Sequence, residues 1–317
     1  MLSVIIPAYN EEIMIEKTTS VITALLEKAK IPFELVLIDD GSTDNTWGII
    51  ESISTTDPSV RGISFSRNFG KEAAIMAGLE EAEGNCCVII DCDLQHPPEK
   101  IIEMYRLWEQ GYEIIEGKKT NRGTESRFHS FAAKAFYSII SSAIGIDMSN
   151  ASDFKLLDQK AVKVLINMRE RNAFFRALSS WIGFKTIQID FDVQKREAGV
   201  SKWTTLSLAK YALNNISSFS TAPMQIVTIL GIIMLVISII LGGIAFIQKI
   251  SGHALEGFTT VILIQLFSSS IIMISLGIIG YYIARIYEEI KGRPRYIISA
   301  VCGNRVREKN APALSSY

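Results

Sequence analysis

The chain has 317 residues, of which 48% are hydrophobic, and its formal net charge at pH 7 is −1. Because the chain lacks the basic excess that is typical of nucleic-acid-binding proteins, we expect no nucleic-acid partner. The mean hydropathy of +0.25 is high for a soluble enzyme. The apolar excess lies after Pro223, so the sequence predicts a globular domain followed by membrane-spanning segments.

Strand-like runs alternate with helical runs over the first 111 residues. The predicted strands are "SVIIPAY", "ELVLIDD", "GISFS" and "CCVIIDCD". Each is followed by a helical pattern, and the last two of these helices close on Gly84 and Gly111. Near-continuous apolar strands that alternate with helices favour a parallel sheet covered on both faces. The sequence therefore predicts an α/β fold.

Polar residues follow all four predicted strands. They are Tyr9, Asn10 and Glu11, then Asp39 and Asp40, then Arg67 and Asn68, then Asp91 and Asp93. The carboxyl ends of parallel strands meet at one edge of a sheet, where open α/β sheets bind their ligands. The sequence contains no GxGxxG motif after the first strand and no P-loop, so this edge does not match a dinucleotide or P-loop site.

The segment "DCDLQHPP" places Asp91, Asp93 and Gln95 at alternate positions. On a continuing strand, residues i and i+2 share a face, so these oxygens can converge on one cation. Oxygen ligands suit Mg²⁺ or Mn²⁺. A polar turn between strand and helix is the alternative, but the polar ends of the other three strands favour the metal site.

Two long uncharged segments, Met224–Ile247 and Phe258–Ala284, follow the globular domain. Each is long enough to cross a hydrocarbon core of about 30 Å. Lysines and arginines lie before the first segment and after the second, and positively charged flanks favour the cytosolic side. We therefore expect an integral protein of the cytoplasmic membrane with the catalytic domain and both termini in the cytosol.

The expected domain organisation has four parts. Residues 1–200 form the cytosolic domain, 201–222 a juxtamembrane helix, 223–285 two transmembrane helices and 286–317 a basic cytosolic tail. The juxtamembrane helix is predicted because Leu206, Ala209, Leu213 and Ile216 fall on one helical face. A helix packed on the domain is the alternative to one lying on the membrane.

Seven segments of the sequence resemble polyprenyl-phosphate glycosyltransferases, which are inverting enzymes of the GT-A fold. These segments are "SVIIPAYNEE", "VLIDDGSTDNT", "SRNFGKEAAIMAGLEEAEG", "DCDLQHPP", "SDFKLLDQKA", "REAGVSKW" and "GYYIARIYEEIKGRPRYI". The family includes bactoprenol glucosyltransferases, undecaprenyl-phosphate aminoarabinose transferases and dolichyl-phosphate mannose synthases. The resemblance runs from Ser3 to about Ile298 and keeps the order of the motifs.

The resemblance implies transfer of a sugar from a nucleotide donor to a membrane polyprenyl phosphate on the cytosolic side. We expect UDP-glucose as donor, undecaprenyl phosphate as acceptor and Mg²⁺ or Mn²⁺ as cofactor. Aminoarabinose, mannose and N-acetylglucosamine are the alternative sugars. The resemblance also implies a homo-oligomer, most simply a tetramer.

The same resemblance assigns residues to the donor site and to the chemistry. Asp91, Asp93 and Gln95 are the expected metal ligands, and Asp153 and Asp93 are the expected catalytic residues. Asp40 is expected to support its loop, and Cys92 stands where such motifs usually have alanine. The expected donor-binding residues are Pro7, Ala8, Tyr9, Glu11, Asp39, Lys71 and Asp91.

The acceptor chemistry calls for cations more than for a strong base. A lipid phosphate has a second pKa of about 6 and is therefore mostly anionic near neutral pH. Asp153 is accordingly expected to orient the acceptor or a sugar hydroxyl as much as to take a proton. The candidate acceptor-binding residues are Arg122, Arg127, Lys134, Arg196 and Lys202. A solvated surface charge or a contact with anionic lipid is the alternative for each.

Three other functions compete with this interpretation. A processive polysaccharide synthase would show more spans and a QxxRW motif, which "FFRALSSW" does not match. A non-catalytic membrane scaffold would not need the carboxylates at the strand ends. A transporter is disfavoured because the two predicted spans contain no charged residue.

The four cysteines, Cys86, Cys87, Cys92 and Cys302, show neither a CxxC motif nor zinc-site spacing. Neighbouring residues of a strand point to opposite faces, so Cys86 and Cys87 are poorly placed to pair. We expect reduced thiols, as in a cytosolic compartment. The replacement at Cys92 leaves open whether the site is sensitive to thiol reagents.

Overall fold

The computed structural model describes residues 1–119, 152–168, 174–192, 222–251 and 257–303. The chain divides into two compact units. The first comprises Met1–Thr205 with Pro294–Tyr317, and the second comprises Leu206–Arg293. The chain therefore leaves the first unit and returns to it after the second.

The first unit is a mixed α/β structure built on one eight-stranded sheet. Its strands are β1 (Leu2–Ala8), β2 (Phe33–Asp39), β3 (Val60–Phe65), β4 (Cys86–Ile89), β5 (Ile114–Lys119), β6 (Lys155–Asp158), β7 (Thr186–Phe191) and β8 (Ile298–Cys302). Its helices are α1 (Ile15–Lys28), α2 (Thr46–Thr56), α3 (Lys71–Glu81), α4 (Lys100–Glu109), α5 (Gln159–Asn167) and α6 (Phe175–Trp181).

The strand order across the sheet is β7-β5-β6-β4-β1-β2-β3-β8. The central strands β4, β1, β2 and β3 are parallel. These are the four strands that hydrophobic patterning predicts, and helices α1 to α4 follow them in turn. The sheet is not parallel throughout, because β6 runs antiparallel to β4 and β5, and β8 runs antiparallel to β3.

The core lies between the central strands and the helices that cover them. Strand residues Val4, Ile6, Leu35 and Leu37 are fully buried and belong to one apolar cluster. Helix α1 turns its apolar side, which includes Ile22, toward that cluster. Burial of these apolar faces supplies the main driving force for the fold and holds the strand ends in a fixed arrangement.

The segment after the second apolar stretch contributes the edge strand β8. Its Cys302 pairs in register with Gly62 of β3. A Cβ atom at Gly62 would lie 2.3 Å from Ile50 Cγ2 and 2.6 Å from the Cys302 sulfur, so these two side chains occupy the space that a larger residue would need. Just before β8, the ring of Tyr296 stacks on Phe65 at 4.9 Å between centroids. The sequence predicts residues 286–317 as a basic tail separate from the domain, and it does not predict strand β8.

We expect Tyr296→Ala to destabilise the first unit. The half-buried ring stacks on Phe65 and its hydroxyl donates to Glu80 of α3, so the substitution removes both contacts. The expected loss is about 2 kcal/mol, below the range for a fully buried aromatic residue. Thermal unfolding in detergent measures it.

The matched control is Tyr296→Phe, which keeps the ring and removes only the hydroxyl. Its expected cost is about 1 kcal/mol or less. Equal unfolding midpoints for the alanine variant and the parent protein would show that the segment before β8 does not stabilise the sheet.

The second unit contains two long helices, α7 (Ala222–Ile250) and α8 (Phe258–Ile290). Their apolar windows, Val227–Ile244 and Phe267–Ile290, have mean hydropathies of 2.8 and 1.7, and neither window is buried within the structure. Both helices are long and apolar enough to cross a membrane. They extend beyond the predicted spans 224–247 and 258–284, and α8 continues through Arg285 to Ile290.

Several predictions fall outside the part of the chain that the structure describes. Of the juxtamembrane helix predicted over 201–222, the structure describes only Ala222, which is the first residue of α7. The candidate acceptor-binding residues Arg122, Arg127, Lys134, Arg196 and Lys202 fall outside the described residues as well. They stay predictions.

Candidate active site

The register between β4 and β6 brings two distant carboxylates to the same edge of the sheet. Ile89, the last residue of β4, lies opposite Lys155, the first residue of β6. Because the two strands are antiparallel, the residues after Ile89 and those before Lys155 lie at one edge. Asp91 and Asp153, each two residues beyond this pair, therefore approach one another.

Asp91 and Asp153 are bridged by Lys71, the first residue of α3. Its Nζ lies 2.6 Å from Asp91 Oδ1 and 2.8 Å from Asp153 Oδ2. Arg176 of α6 holds Asp153 from another direction, with Nε 2.6 Å from Oδ1 and Nη2 2.8 Å from Oδ2. We refer to Lys71, Asp91, Asp153 and Arg176 as the charge cluster.

Both carboxylates of the charge cluster are ionised at neutral pH. Burial alone would raise the pKa of Asp153, but Arg176 and Lys71 outweigh it and hold this pKa well below the ordinary value of 3.8. Burial likewise opposes ionisation of Asp91, but Lys71 lowers its pKa overall. A general base works best with a pKa near the operating pH, so Asp153 is poorly tuned for that role.

Glu72, the neighbour of Lys71, holds the helix that carries Arg176. Its Oε2 accepts a hydrogen bond of 2.9 Å from the backbone N–H of Phe175, the first residue of α6. Burial and the charge of Asp153 raise the pKa of Glu72 to about 7. The first two residues of α3 thus organise both sides of the charge cluster.

Asp40 fixes the turn that leads into α3. Its carboxylate accepts hydrogen bonds from the N–H groups of Phe69 at 2.7 Å and Gly70 at 2.9 Å. Gly70 has φ +99°, a conformation that favours glycine. Burial raises the pKa of Asp40 to about 6. The Asp40 carboxylate therefore holds the turn before α3 rather than its own loop after β2, and through this turn it places Lys71.

Asp39 is 1% exposed and lies at the carboxyl end of β2. Its Oδ1 accepts a hydrogen bond of 3.0 Å from the N–H of Ser42, and its Oδ2 accepts one of 2.7 Å from the hydroxyl of Ser64. These two contacts lock the side chain between the ends of β2 and β3. The structure thus places Asp39 at the predicted ligand edge in a fixed orientation.

The loop after β1 interlocks with the loop after β2. The N–H of Asn10 donates to the Ser42 hydroxyl at 2.8 Å, and that of Glu11 donates to the Thr46 hydroxyl at 2.9 Å. Asn10 has φ +53°, which asparagine tolerates better than most residues. Pro7, Ala8 and Tyr9 lead into this loop, so the predicted donor-binding residues of β1 and β2 lie on joined segments.

The segment "DCDLQHPP" lies in a turn, because β4 ends at Ile89 and Leu94 has φ +53°. The prediction that it continues the strand is therefore wrong, yet its exposure still alternates. Asp91, Asp93 and Gln95 are partly exposed, whereas Cys92, Leu94 and His96 are buried. The three predicted oxygen ligands thus share the open side of the turn.

These oxygens fit a metal ion that completes its coordination from the substrate. Among the described residues no group of three or more His, Cys, Asp or Glu side chains could hold a metal alone. Mg²⁺ is commonly held by one or two carboxylates together with substrate phosphates and water, which does not need such a group. Asp91, Asp93 and Gln95 provide hard oxygen donors of this kind on the partly exposed side of the turn.

His96 and Cys92 lie on the buried side of the turn. The His96 ring stacks on Phe154 at 5.1 Å, and its Nδ1 lies 3.9 Å from Asp91 Oδ2. Burial lowers the pKa of His96 to about 4, so the ring is neutral at physiological pH. Burial also raises the pKa of the Cys92 thiol, so this thiol stays protonated at neutral pH. Because the thiolate is the reactive form, this environment disfavours reaction of Cys92 with thiol reagents.

Arg176 and Glu72 are site residues that the sequence does not reveal. Arg176 lies in "FFRALSSW", and no spacing within that segment connects it to Asp153. Lys119, at the end of β5, is a further cation, and its pKa is lowered by burial and then by the positive charge of Arg176.

Comparison with known proteins identifies the family of the chain. A family model described as Glycosyl transferase family 2 matches residues 3–169. The Uncharacterized glycosyltransferase YkcC of Bacillus subtilis is 37% identical over 307 residues, which cover 95% of this chain and 94% of the relative. The SfII prophage-derived bactoprenol glucosyl transferase of Shigella flexneri is 34% identical over 299 residues, with 94% and 97% covered.

A solved structure shares the fold of the first unit. Mannosyl-3-phosphoglycerate synthase from Rubrobacter xylanophilus superposes with a TM-score of 0.50 at 17% identity, covering 69% of this chain and 72% of that chain. The mixed sheet is accordingly the GT-A fold, and the predicted resemblance to bactoprenol glucosyltransferases is confirmed. The chain belongs to glycosyl transferase family 2 and is a glycosyltransferase.

Proposed function

We propose that the protein transfers glucose from UDP-glucose to undecaprenyl phosphate and inverts the anomeric centre. The observation that carries this proposal is the charge cluster, which places two cations beside the turn with the predicted metal ligands. The similarity to a bactoprenol glucosyl transferase over nearly the whole chain supports the lipid acceptor and the sugar.

The joined loops after β1 and β2 are the proposed site for the nucleoside. Pro7, Ala8, Tyr9 and Glu11 form one wall, and Asp39 forms part of the other. The fixed orientation of Asp39, held by Ser42 and Ser64, supports a role in recognising the base. Such preorganisation lowers the entropy lost when the donor binds.

Mg²⁺ or Mn²⁺ is the proposed cofactor, held by Asp91, Asp93 and Gln95 with the donor diphosphate. When bound, the metal neutralises charge that develops on the leaving nucleoside diphosphate. Lys71 pairs with Asp91, so it lies beside this site and adds a second positive charge close to the phosphates.

The proposed role of Asp153 is electrostatic. The acceptor phosphate is itself an anionic nucleophile and needs orientation in line with the anomeric carbon. Asp153 stays ionised and holds Lys71 and Arg176 at fixed positions, so these cations are in place when the acceptor arrives. Arg122, Arg127, Lys134, Arg196 and Lys202 are the proposed further contacts of the lipid phosphate.

The proposed location is the cytoplasmic membrane, with α7 and α8 as spans and both termini in the cytosol. The apolar windows of the two helices have no buried residues, so they require lipid or other apolar partners. Packing of spans from several copies would meet part of this need, which supports the proposed homo-oligomer.

Transfer of a different sugar to the same lipid is the second candidate. The similarity to bactoprenol glucosyl transferases favours glucose. A processive synthase is disfavoured because the described residues contain two candidate spans and the sequence lacks the QxxRW motif.

Donor screening tests the proposal directly. Membranes containing the protein are incubated with undecaprenyl phosphate, Mn²⁺ or Mg²⁺ and one radiolabelled nucleotide sugar at a time, and the lipid is then extracted. We expect label from UDP-glucose, and loss of labelling when EDTA is added. Membranes without the protein are the control. Absence of lipid label with every donor would refute the proposed reaction, and labelling that survives EDTA would refute the metal.

We expect Lys71→Met to lower kcat by about 10²-fold, comparable to the removal of one preorganised donor from a charged site. The substitution keeps the length of the side chain but leaves Asp91 and Asp153 without their shared cation. Steady-state kinetics in detergent measure the effect.

Lys100→Met is the matched control, because Lys100 pairs with Glu103 on α4 and lies outside the charge cluster. Its kcat should equal that of the parent enzyme. A Lys71→Met enzyme with unchanged kcat would remove Lys71 from the proposed machinery.

A further inference from the structure

A second buried ion pair lies directly behind the charge cluster. Lys155 is fully buried on β6, and Glu116 on β5 is its cross-strand partner. The distance between Lys155 Nζ and Glu116 Oε1 is 2.8 Å. Nothing in the proposed reaction uses this pair, because both side chains are buried beneath the edge where the substrates would bind.

Within the described part of the chain, the remaining hydrogen bonds of the Lys155 ammonium go to helix α6. Its Nζ donates to the hydroxyls of Ser179 at 2.9 Å and Ser180 at 3.1 Å, and to the carbonyl oxygen of Arg176 at 3.3 Å. On the opposite side, Glu116 Oε2 accepts a hydrogen bond of 3.2 Å from Gln188 of β7. The ion pair therefore connects the sheet to one short helix.

Stability alone does not explain this pair. Removing an ammonium and a carboxylate from water costs several kcal/mol per ion, and an apolar pair of similar volume often stabilises a protein as well or better. Burial lowers the pKa of Lys155, and Glu116 opposes that shift. What the ion pair provides beyond an apolar pair is a set of directed hydrogen bonds to α6.

Those hydrogen bonds act on the residue that holds Asp153. Two residues of the segment 153–155 contact Arg176. Asp153 pairs with its guanidinium group, and the Lys155 ammonium donates a hydrogen bond to its carbonyl oxygen. Glu72 adds a third constraint through the N–H of Phe175. The backbone and the side chain of Arg176 are thus both held from residues 153–155, where the chain enters β6.

We propose that the Lys155–Glu116 pair positions Arg176 by anchoring α6 to the sheet, and thereby holds Asp153 and Lys71 in their working geometry. This inference rests on the proposed glycosyl transfer, in which the charge cluster orients the reacting phosphates. Lys155 and Glu116 are positioning residues, because neither touches the substrates.

The test replaces the pair with apolar residues of similar size, as Lys155→Met combined with Glu116→Leu. This variant leaves no unpaired buried charge, so it should fold. A displacement of about 1 Å in a positioned group costs up to about 10²-fold, so we expect kcat to fall about 10- to 100-fold. The KM for the nucleotide sugar should change less than kcat, because the proposed nucleoside-binding loops follow β1 and β2 whereas the pair lies on β5 and β6.

Two further variants separate positioning from a general structural role. Ser180→Ala removes one anchor while the ion pair persists, and should lower kcat by a few-fold, about the effect of one neutral hydrogen bond. Lys163→Met on α5, an exposed lysine, should change nothing. Arg176→Met combined with the apolar pair should lose little more activity than Arg176→Met alone, because both changes act through Arg176.

Hydrogen exchange at the amides of Phe175–Trp181 provides a readout that does not depend on activity. Exchange there should be faster in the apolar-pair variant than in the parent, while the core strands exchange at the parental rate. Unchanged exchange in α6, or parental kcat in the folded apolar-pair variant, would overturn the inference. A parent enzyme that transfers no sugar would instead refute the proposed function, and the exchange result would still decide whether the pair anchors α6.

Discussion

Asp153→Asn is expected to lower kcat by about 10³-fold or more, with a smaller effect on the donor KM because Lys71 still pairs with Asp91. Asparagine keeps the size of the side chain but removes its charge. Arg176 would then face an amide in place of two carboxylate oxygens, and Lys71 would keep only Asp91 as an anionic partner. The two cations would lose the geometry in which they meet the acceptor phosphate.

The pH dependence of the parent enzyme separates this role from general-base catalysis. A base that must be deprotonated produces an acidic limb at its pKa. Since Arg176 and Lys71 hold the pKa of Asp153 well below 3.8, Asp153 should contribute no limb to kcat between pH 5 and 9. Because the charge of Asp153 also helps to raise the pKa of Glu72 to about 7, Glu72→Gln is the control. A limb in this range that Asp153→Asn abolishes and Glu72→Gln leaves in place would contradict the electrostatic role.

The same ionisation also affects stability. The pKa of Asp153 is lower in the folded state than in the unfolded state, so its contribution is present above about pH 4. That contribution is lost as the pH falls toward the folded-state pKa. The parent should therefore exceed Asp153→Asn in unfolding free energy at pH 7, and the difference should shrink in acid. Asp190→Asn, at an exposed position of β7, is the matched control and should match the parent in both measurements.

The central strands were predictable because their signal is local. Runs such as "SVIIPAY" and "ELVLIDD" form strands that are buried on both faces, and a continuous apolar run in the sequence predicts such a strand. The polar residues that follow them were also visible, so the ligand edge of the sheet followed from the sequence. The family resemblance added Asp153, whose role no local pattern indicates.

The outer strands were not predictable in the same way. Strand β6 has four residues and contains the buried Lys155, which breaks the apolar pattern. A lysine in a sequence predicts an exposed position unless its partner is known. The partner here, Glu116, lies 39 positions earlier in the chain on another strand. The same limit applies to Arg176, because its contact with Asp153 depends on the placement of α6 over the sheet.

The turn after β4 shows how a correct pattern of exposure can be assigned to the wrong structural element. The alternation in "DCDLQ" predicts a continuing strand, but β4 ends at Ile89. The alternation survives in the turn because Cys92, Leu94 and His96 pack inward. The hydroxyl of Thr18 on α1 donates to the Cys92 carbonyl oxygen at 2.6 Å, which fixes the turn from below. Inward packing of the buried residues, rather than strand geometry, exposes the three candidate ligands together.

Asp93→Asn is expected to reduce activity by more than about 10³-fold, because removal of a metal ligand forfeits several kcal/mol of charge stabilisation. The turn itself should persist. Asp93 Oδ1 accepts a hydrogen bond of 3.1 Å from the N–H of Gln95, and the carbonyl oxygen of asparagine can accept the same bond. Circular dichroism and the unfolding midpoint should therefore match those of the parent.

The dependence of sugar transfer on Mn²⁺ concentration shows whether the activity loss in Asp93→Asn comes from the loss of a metal ligand. If Asp93 binds the metal, the residual activity of Asp93→Asn should need a higher Mn²⁺ concentration for half-saturation than the parent does. Glu99→Gln, an exposed carboxylate six residues further along the chain (99 − 93), is the matched control and should keep the parental dependence. Near-normal activity of Asp93→Asn at the parental Mn²⁺ requirement would exclude Asp93 as a ligand and would leave Asp91 as the remaining carboxylate of the turn to hold the metal.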